Sequence, residues 1–240
     1  MADPLTLSLD IGGSGLKAGI LDAAGAFASG PIRVPTPPRA TPDTLIAALV
    51  PLIADLGHFD RVSVGFPGVV RQGRTLTAAN LNNDAWRDFP LTATLAERYA
   101  RPVRMLNDAT VQGLGVIGGN GIECVVTLGT GMGFALFDHG YPVPHLELSH
   151  HPLRKGLTYE ENVGDAALRE VGRRRWNIRL GFALACIEKL VGYDMLYLGG
   201  GNARHVRLEL AENVRIVSNQ AGITGGVRLW DAALDRMFAA

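Results

Sequence analysis

The chain is poor in cysteine, in long apolar runs and in net charge. Its only cysteines, Cys124 and Cys186, lie in apolar segments without a CxxC pair, which indicates buried, hydrophobe-like thiols. No apolar run reaches about 18 residues, and the first residues lack the pattern of a secretory signal. Lysine plus arginine equal aspartate plus glutamate at 23 each, which argues against a nucleic-acid binder. We therefore expect a folded cytoplasmic protein that binds neither nucleic acid nor membrane.

Glycine, in contrast, is abundant, and much of it follows apolar strands. A strand at Leu5–Asp10, a glycine turn and a second strand at Leu16–Leu21 predict a hairpin. The same plan recurs in "ECVVTLGTGMGFALFDHG", and a third strand runs into glycines in "DMLYLGGGNA". This repetition predicts two similar α/β lobes.

The glycine turns indicate phosphate binding. Without a Cβ in the way, backbone N–H groups of such a turn can converge on an anion. Asp10 would place a carboxylate beside that anion, which requires a cation between them, usually Mg²⁺ in phosphoryl transfer, and Lys17 would add a positive charge. One such motif alone would favour an ordinary turn, but three together favour a phosphate site. The Rossmann and Walker patterns are absent from the sequence.

These segments resemble the motifs of the ROK sugar kinases, within the actin-like ATPase superfamily, and most of all its short, zinc-free, polyphosphate glucokinase-like branch. "DIGGSGLK" is similar to the first phosphate motif and "LGTGMG" to the second. "LNDAT" and "AGITGG" resemble the two connecting segments, and "LGGGN" resembles the adenosine motif. The resemblance extends from about Leu7 to Trp230.

The resemblance implies an α/β fold of two ribonuclease-H-like lobes around a central cleft. We expect residues 1–107 plus 227–240 in the smaller lobe, with a final helix from Val227, and residues 108–226 in the larger lobe. It also implies which residues hold Mg²⁺, the phosphates and the adenosine of the donor: Asp10 for the metal and, for the donor, Asp10, Gly12, Gly13, Ser14, Gly15, Lys17, Gly129, Thr130, Gly131, Gly199, Gly200 and Gly201.

The resemblance assigns the catalytic base to Asp108. At the end of a predicted strand, its carboxylate could accept the proton of a sugar hydroxyl as that hydroxyl attacks the phosphoryl group. The alternative is that Asp108 caps the helix that follows. By the same resemblance, Asn107 would hydrogen-bond the sugar hydroxyls.

Two further segments resemble sugar-binding motifs. In "NLNNDAW" the register is open, with Asn80 as the first choice and Asn83 as the second; in "ELSHH" the candidates are Glu147 and His150. Either segment could instead be a polar surface loop. Because "HPLRKGLTYEENVG" holds no cysteine, we expect no structural zinc, and the glutamate that closes the zinc motif in relatives has no clear counterpart.

The function implied is a kinase that transfers a phosphoryl group from ATP or polyphosphate to a hexose, with the glucose 6-hydroxyl as the first choice, and a homodimer is implied as well. A sugar-binding sensor with little kinase activity is the main alternative. A ROK repressor would need a helix-turn-helix before the first strand, where only Met1–Thr6 stand, and a chaperone-like ATPase would lack the "ELSH" segment.

The donor depends on a basic segment between Leu157 and Val191. This segment could be a solvated face, or part of it could accept a phosphate chain. Its basic residues, with one lysine just before it, are Lys155, Arg169, Arg173, Arg174, Arg175 and Arg179.

Overall fold

The structure, a computed structural model, describes residues 3–218 and 221–239. Within these ranges the strands are β1 (Thr6–Ile11), β2 (Gly15–Leu21), β3 (Phe27–Pro35), β4 (Arg61–Phe66), β5 (Val70–Arg71), β6 (Arg74–Thr75), β7 (Val103–Asn107), β8 (Ile122–Leu128), β9 (Met132–Asp138), β10 (Tyr141–Pro142), β11 (Pro152–Arg154), β12 (Leu157–Thr158), β13 (Met195–Gly199) and β14 (Val214–Ile216). The α-helices are α1 (Pro42–Ala54), α2 (Asn83–Trp86), α3 (Leu91–Tyr99), α4 (Asp108–Leu114), α5 (Tyr159–Val163), α6 (Asp165–Val191), α7 (Ala221–Thr224) and α8 (Asp235–Phe238).

The chain forms two compact units, each built on a five-stranded mixed sheet. Unit 1 comprises residues 1–115 and 220–240, and unit 2 comprises residues 116–219. The strand order β3-β2-β1-β4-β7 in unit 1 corresponds to β10-β9-β8-β13-β14 in unit 2. Among the first three strands in this order, neighbouring strands are antiparallel in each sheet. The last two strands run parallel to β1 in unit 1 and to β8 in unit 2. The predicted repetition and the α/β class are confirmed.

In unit 1 the central strands are buried on both faces. Leu7 and Leu9 of β1 belong to the apolar core that α1 covers with its buried residues. The opposite face carries Ser8 of β1 and Ser63 of β4, whose hydroxyls donate to the carbonyl oxygens of Ile223 and Gly226, both at 2.7 Å. The C-terminal segment therefore covers the polar face of the sheet and satisfies its hydrogen bonds.

In unit 2 the long helix α6 covers the sheet. Trp176, Leu180, Ala183 and Ile187 recur every three or four residues along α6 and are buried against the strands. Gly172 interrupts the helix with φ 73° and ψ 162°, a backbone conformation that essentially only glycine adopts. No described helix is long and apolar enough to span a bilayer.

The unit boundaries differ from those expected, because α4 packs on the C-terminal segment of unit 1. A Cβ added at Gly225 would lie 2.0 Å from the carbonyl oxygen of Val111, so the two segments are in close backbone contact. The helix that begins at Asp108 and residues 220–226 therefore lie in unit 1 and not in the larger lobe. The terminal residues Met1, Ala2 and Ala240, which the expected lobe included, lie outside the described residues.

Three segments have a secondary structure other than predicted. The prolines of "PIRVPTPPRATPDT" predict a connection, but "PIRVP" lies in β3, because an edge strand tolerates proline. The glycines of "AGITGG" predict a turn, but the segment forms α7 and the start of a 3₁₀ segment. The continuous helix predicted from Val227 is wrong, because Asp231 is extended and separates two 3₁₀ segments at 225–230 and 232–234, after which α8 follows.

The third glycine turn allows a matched test of backbone strain. Gly200 has φ +84°, and an added Cβ would lie 2.3 Å from the carbonyl oxygen of Leu128, whereas a Cβ at Gly201 would meet nothing within 4 Å. We expect Gly200→Ala to reduce the free energy of unfolding by more than about 2 kcal/mol and Gly201→Ala to change it by less than about 0.5 kcal/mol. Urea unfolding of both variants checks this. Equal stabilities would contradict the described turn.

Candidate active site

The first glycine turn joins β1 to β2 and brings together two of the predicted residues. Asp10 and Lys17 are direct cross-strand partners, and Lys17 Nζ lies 2.7 Å from Asp10 Oδ2. The side chains are 15% and 26% exposed, respectively, so both charges are largely withdrawn from water. The ion pair fixes the carboxylate at the entrance of the turn and leaves Asp10 Oδ1 for a further contact.

A second cation at this turn was missed by sequence reasoning. The guanidinium of Arg33, on β3, lies over Gly15, where an added Cβ would be 2.9 Å from Arg33 Nε. Arg33 is the cross-strand partner of Lys17 on the sheet. The alternation of "PIRVP" could have indicated an edge strand, but only the register places this arginine beside the turn.

The structure separates the two asparagines of the predicted sugar loop. Asn80 is exposed and packs against Gly13 of the first glycine turn, where an added Cβ would lie 2.8 Å from Asn80 Cβ. Asn83 Oδ1 instead accepts a hydrogen bond from the backbone N–H of Ala78 at 2.8 Å, inside the loop. These contacts favour Asn80 as the residue available to a ligand.

The residue that caps α4 is Asn107 and not Asp108, which the sequence had offered as the alternative. Its Oδ1 accepts from the backbone N–H groups of Ala109 and Thr110 at 2.9 and 3.3 Å. Its Nδ2 donates to the carbonyl oxygens of Phe66 and Gly68 at 3.4 and 3.2 Å. Because every hydrogen-bonding position of this buried amide is occupied, Asn107 is suited to holding its neighbour in place rather than to binding a ligand.

Asp108 is the first residue of α4 and follows the parallel strand β7 directly. It is half-buried, and its Oδ1 accepts from the backbone N–H of Ala109 at 2.8 Å. In the sheet β7 is separated from β1 only by the parallel strand β4, so the first glycine turn and Asp108 lie at the same edge of the unit 1 sheet. Ligands of open α/β sheets bind at this edge.

In unit 2 the second glycine turn, Gly129–Gly131, is fixed by hydrogen bonds of its own backbone. Gly129 N donates to Gly131 O at 3.0 Å, and Asp165 N at the start of α6 donates to Gly129 O at 3.0 Å. The side chain of Asn202, just after the third glycine turn, donates to the same Gly129 oxygen at 3.1 Å. The second turn and the third turn, Gly199–Gly201, are therefore held together.

The predicted pair Glu147 and His150 is joined by His145, which sequence reasoning missed. His145 Nε2 lies 3.0 Å from Glu147 Oε1, and His150 Nε2 lies 3.6 Å from Glu147 Oε2. The hydrogen bond from His145 holds the pKa of Glu147 below its usual range. The side chain of His145 is only 12% exposed, and its Nδ1 has no hydrogen-bond partner in the described part of the chain. Glu147 is thus an ionised carboxylate held between two imidazoles.

Sequence reasoning also missed Glu160. It lies in "HPLRKGLTYEENVG", the segment in which the glutamate that closes the zinc motif of relatives has no clear counterpart. A Cβ added at Gly131 would lie 2.3 Å from Glu160 Oε2, so this carboxylate lies against the second glycine turn. Burial raises the pKa of Glu160, while the charge of His150 lowers it and that of Glu147 raises it. Glu160 therefore lies near enough to Glu147 and His150 in unit 2 to interact with their charges.

No group of three or more histidine, cysteine, aspartate or glutamate side chains suited to a metal ion occurs in residues 3–218 and 221–239.

Cys124 is buried, and burial raises the pKa of its thiol to about 12, which makes it an inert core residue.

A sequence model of the ROK family matches residues 6–143, more than half of the chain. The chain belongs to the ROK family. The polyphosphate glucokinase of Mycobacterium tuberculosis (strain CDC 1551 / Oshkosh) is 31% identical over 235 residues, which cover 90% of this ROK chain and 88% of the relative.

Solved structures confirm the two-lobed fold of the ROK kinases. The inorganic polyphosphate/ATP-glucomannokinase from Arthrobacter sp. strain KM superposes with a TM-score of 0.84 at 31% identity, covering 95% of this chain and 98% of that one. A ROK family glucokinase from Streptomyces griseus, solved with glucose and AMPPNP, gives a TM-score of 0.79 at 20% identity over 94% and 98% of the two chains.

The opposite pKa shifts of two adjacent glutamates give a stability test. Burial makes ionised Glu160 unfavourable in the folded state, so Glu160→Gln should raise the melting temperature at pH 7, by about 1–3 °C. The gain should vanish as the pH falls below the pKa of an unfolded glutamate, about 4.3, because the parent is then protonated in both states.

Glu161 is the matched control, because hydrogen bonds from Thr158 lower its pKa. Its stabilisation is present at neutral pH and is lost as the pH falls through its folded-state pKa. Glu161→Gln should therefore lower the melting temperature at pH 7, with a difference that also shrinks in acid. Shifts of the same sign for both variants would refute the assignment.

Proposed function

We propose that this ROK chain is a hexose kinase that transfers a phosphoryl group from ATP or polyphosphate to the 6-hydroxyl of glucose. One observation carries the proposal: the Asp10–Lys17 turn, Asn80 and Asp108 gather at one edge of the unit 1 sheet. This edge offers a phosphate-binding turn, a hydroxyl-binding amide and a carboxylate base. The similarity to polyphosphate glucokinase and to polyphosphate/ATP-glucomannokinase supports this reading.

Asp108 is the proposed general base. Its carboxylate takes the proton of the 6-hydroxyl while the sugar oxygen forms a bond to the terminal phosphorus of the donor. The bond from that phosphorus to the bridging oxygen breaks, and ADP or a polyphosphate shortened by one phosphate leaves. Asn107 acts as a positioning residue, because it caps α4 and so fixes the backbone of Asp108.

Glu147, His150 and Asn80 are the proposed hexose ligands, and Glu160 is added to them. A sugar presents many hydroxyls that both donate and accept, and a carboxylate flanked by imidazoles matches this pattern. His145 positions Glu147 through the 3.0 Å contact. Glu160 is proposed as the counterpart of the glutamate that closes the zinc motif in relatives, because it lies near Glu147 and His150.

Donor phosphates are proposed to bind the two glycine turns, with Lys17 and Arg33 beside the first. Mg²⁺ favours one or two carboxylates together with waters and donor phosphates. Asp10 fits such a site, because Lys17 contacts only its Oδ2 and leaves Oδ1 for the metal or for a water bound to it. Mg²⁺ would there neutralise charge that develops on the donor. We expect Gly199–Gly201 to border the adenosine of ATP.

The family resemblance favours a homodimer, and we propose that assembly for this chain. From the composition we also expect a cytoplasmic location, without binding to nucleic acid or membrane. Sedimentation of the purified protein checks the first of these.

The test of the base is Asp108→Asn, which preserves size but removes proton acceptance. We expect kcat for glucose phosphorylation to fall by on the order of 10²–10⁴, with the Kd for glucose changed less than about 3-fold. Asp55→Asn, which removes an exposed carboxylate of unit 1 just after α1, is the control and should leave kcat unchanged. Near-parental turnover in Asp108→Asn would exclude the role.

A pair of charge-neutralising substitutions tests Asp10. We expect Asp10→Asn to lower kcat by at least about 10²-fold with ATP and with polyphosphate, while glucose affinity stays within about 3-fold. This variant also leaves Lys17 without its partner. In the double variant Asp10→Asn with Lys17→Gln, the unpaired charge is removed as well. If Asp10 serves the donor directly, the double variant stays inactive; recovery of activity would show that Asp10 only neutralises Lys17.

A further inference from the structure

A cluster of basic side chains lies in unit 2, outside the residues assigned above. It consists of Arg173 on α6 and of Arg204, His205 and Arg207, which follow the third glycine turn. Arg204 Nε lies 3.1 Å from His205 Nε2, and Arg207 Nη1 donates to the carbonyl oxygen of Arg204 at 2.9 Å. The three arginines are exposed, and none of them forms an ion pair with a carboxylate of the described residues.

The two parts of the cluster are joined by the buried side chain of Asn177. Its Nδ2 donates to the carbonyl oxygens of Arg173 at 2.9 Å and His205 at 3.0 Å, and its Oδ1 accepts from the backbone N–H of Arg207 at 2.6 Å. A buried amide with three such bonds fixes the backbone of both segments. The backbones that carry these cations are therefore held at a fixed position relative to each other.

Like charges are held close together in this cluster. Burial lowers the pKa of His205, and the charges of Arg204, Arg173 and Arg207 lower it further. Asp165 is the carboxylate that faces His205 in the described residues, and it is paired with Arg169 at 2.5 Å. Because none of the three arginines forms an ion pair with a described carboxylate, a bound anion would reduce the repulsion among them.

The cluster is tied to the second phosphate turn. Asn202, two residues before Arg204, donates from its side chain to Gly129 O and from its backbone to Leu128 O at 2.9 Å. An open cleft of about 450 Å³ lies where α6 is interrupted, lined by Val171, Gly172, Arg173, Arg174, Arg175 and Ile178. Arg173 thus belongs both to the cluster and to this cleft.

We propose that Arg173, Arg204, His205 and Arg207 bind the distal phosphates of a linear polyphosphate donor, beyond those held by the glycine turns. This inference rests on the proposed kinase function. A chain with one negative charge per phosphate matches a row of forked guanidinium donors, whereas ATP has no phosphates beyond those that the glycine turns are proposed to hold. The assignment favours Arg173 over Arg174, because Asn177 joins the carbonyl oxygen of Arg173 to that of His205.

The test is the triple variant Arg173→Gln, Arg204→Gln and Arg207→Gln. We expect its KM for long-chain polyphosphate to rise about 10- to 100-fold, with KM for ATP and for tripolyphosphate changed less than about 3-fold. The salt dependence of long-chain binding should weaken, with the slope of log K against log salt smaller by about two. The matched control removes the same charge elsewhere in unit 2: Arg154→Gln, Lys189→Gln and Arg215→Gln.

Direct binding of labelled long-chain polyphosphate separates this inference from the kinase proposal. If the parent phosphorylates no hexose with any donor, the proposed function fails, while a specific loss of polyphosphate binding in the triple variant still supports the cluster. An equal loss for all donors, or an equal loss in the control, overturns it. Binding of single-stranded RNA as tight as that of polyphosphate, lost in the same variant, would also overturn it in favour of a nucleic-acid surface.

Discussion

Burial of both faces of the central strands is the constraint on which the rest of unit 1 depends. Within β1 and β4 a polar side chain must find a partner inside the protein, because an unsatisfied buried hydroxyl costs about 1–3 kcal/mol. Ser8 and Ser63 meet this requirement through carbonyl oxygens of the C-terminal segment. Groups that must meet a ligand can only stand where the strands end, and Asp10 and Asp108 are found there.

The same constraint explains which parts of the fold could be predicted from the sequence. An apolar strand that stops at glycines is a local signal, so the β1–β2 and β8–β9 hairpins and the repetition of the lobes were predicted correctly. The end of the chain gave a false signal, because "VRLWDAALDRMFAA" has a helical composition but contains the extended Asp231. There, contacts with the sheet of unit 1, such as the hydrogen bond from Trp230 Nε1 to Ser63 Oγ at 2.8 Å, override helix propensity.

Site residues could be predicted where they lie within one sequence motif. They were missed where tertiary packing brings them to the site from another segment of the chain. Asp10 and Lys17 lie in one motif, and their pairing follows from hairpin register. Arg33 reaches the same turn only because β3 pairs with β2. Glu160 reaches Gly131 only through the packing of α5, although the capping box of Thr158 and Glu161 already marked where that helix begins.

The two phosphate turns differ in the charges around them, and this difference bears on the donor. Lys17 and Arg33 stand beside the first turn, so an anion there gains two nearby cations. The second turn is instead in contact with the carboxylate of Glu160, the backbone N–H of Asp165 and the side-chain amide of Asn202. A phosphate at the second turn therefore lies near a carboxylate and not near two cations. On the proposed function, substitutions in the arginine cluster can then change selectivity between long and short donors while the Asp10–Lys17 pair stays intact.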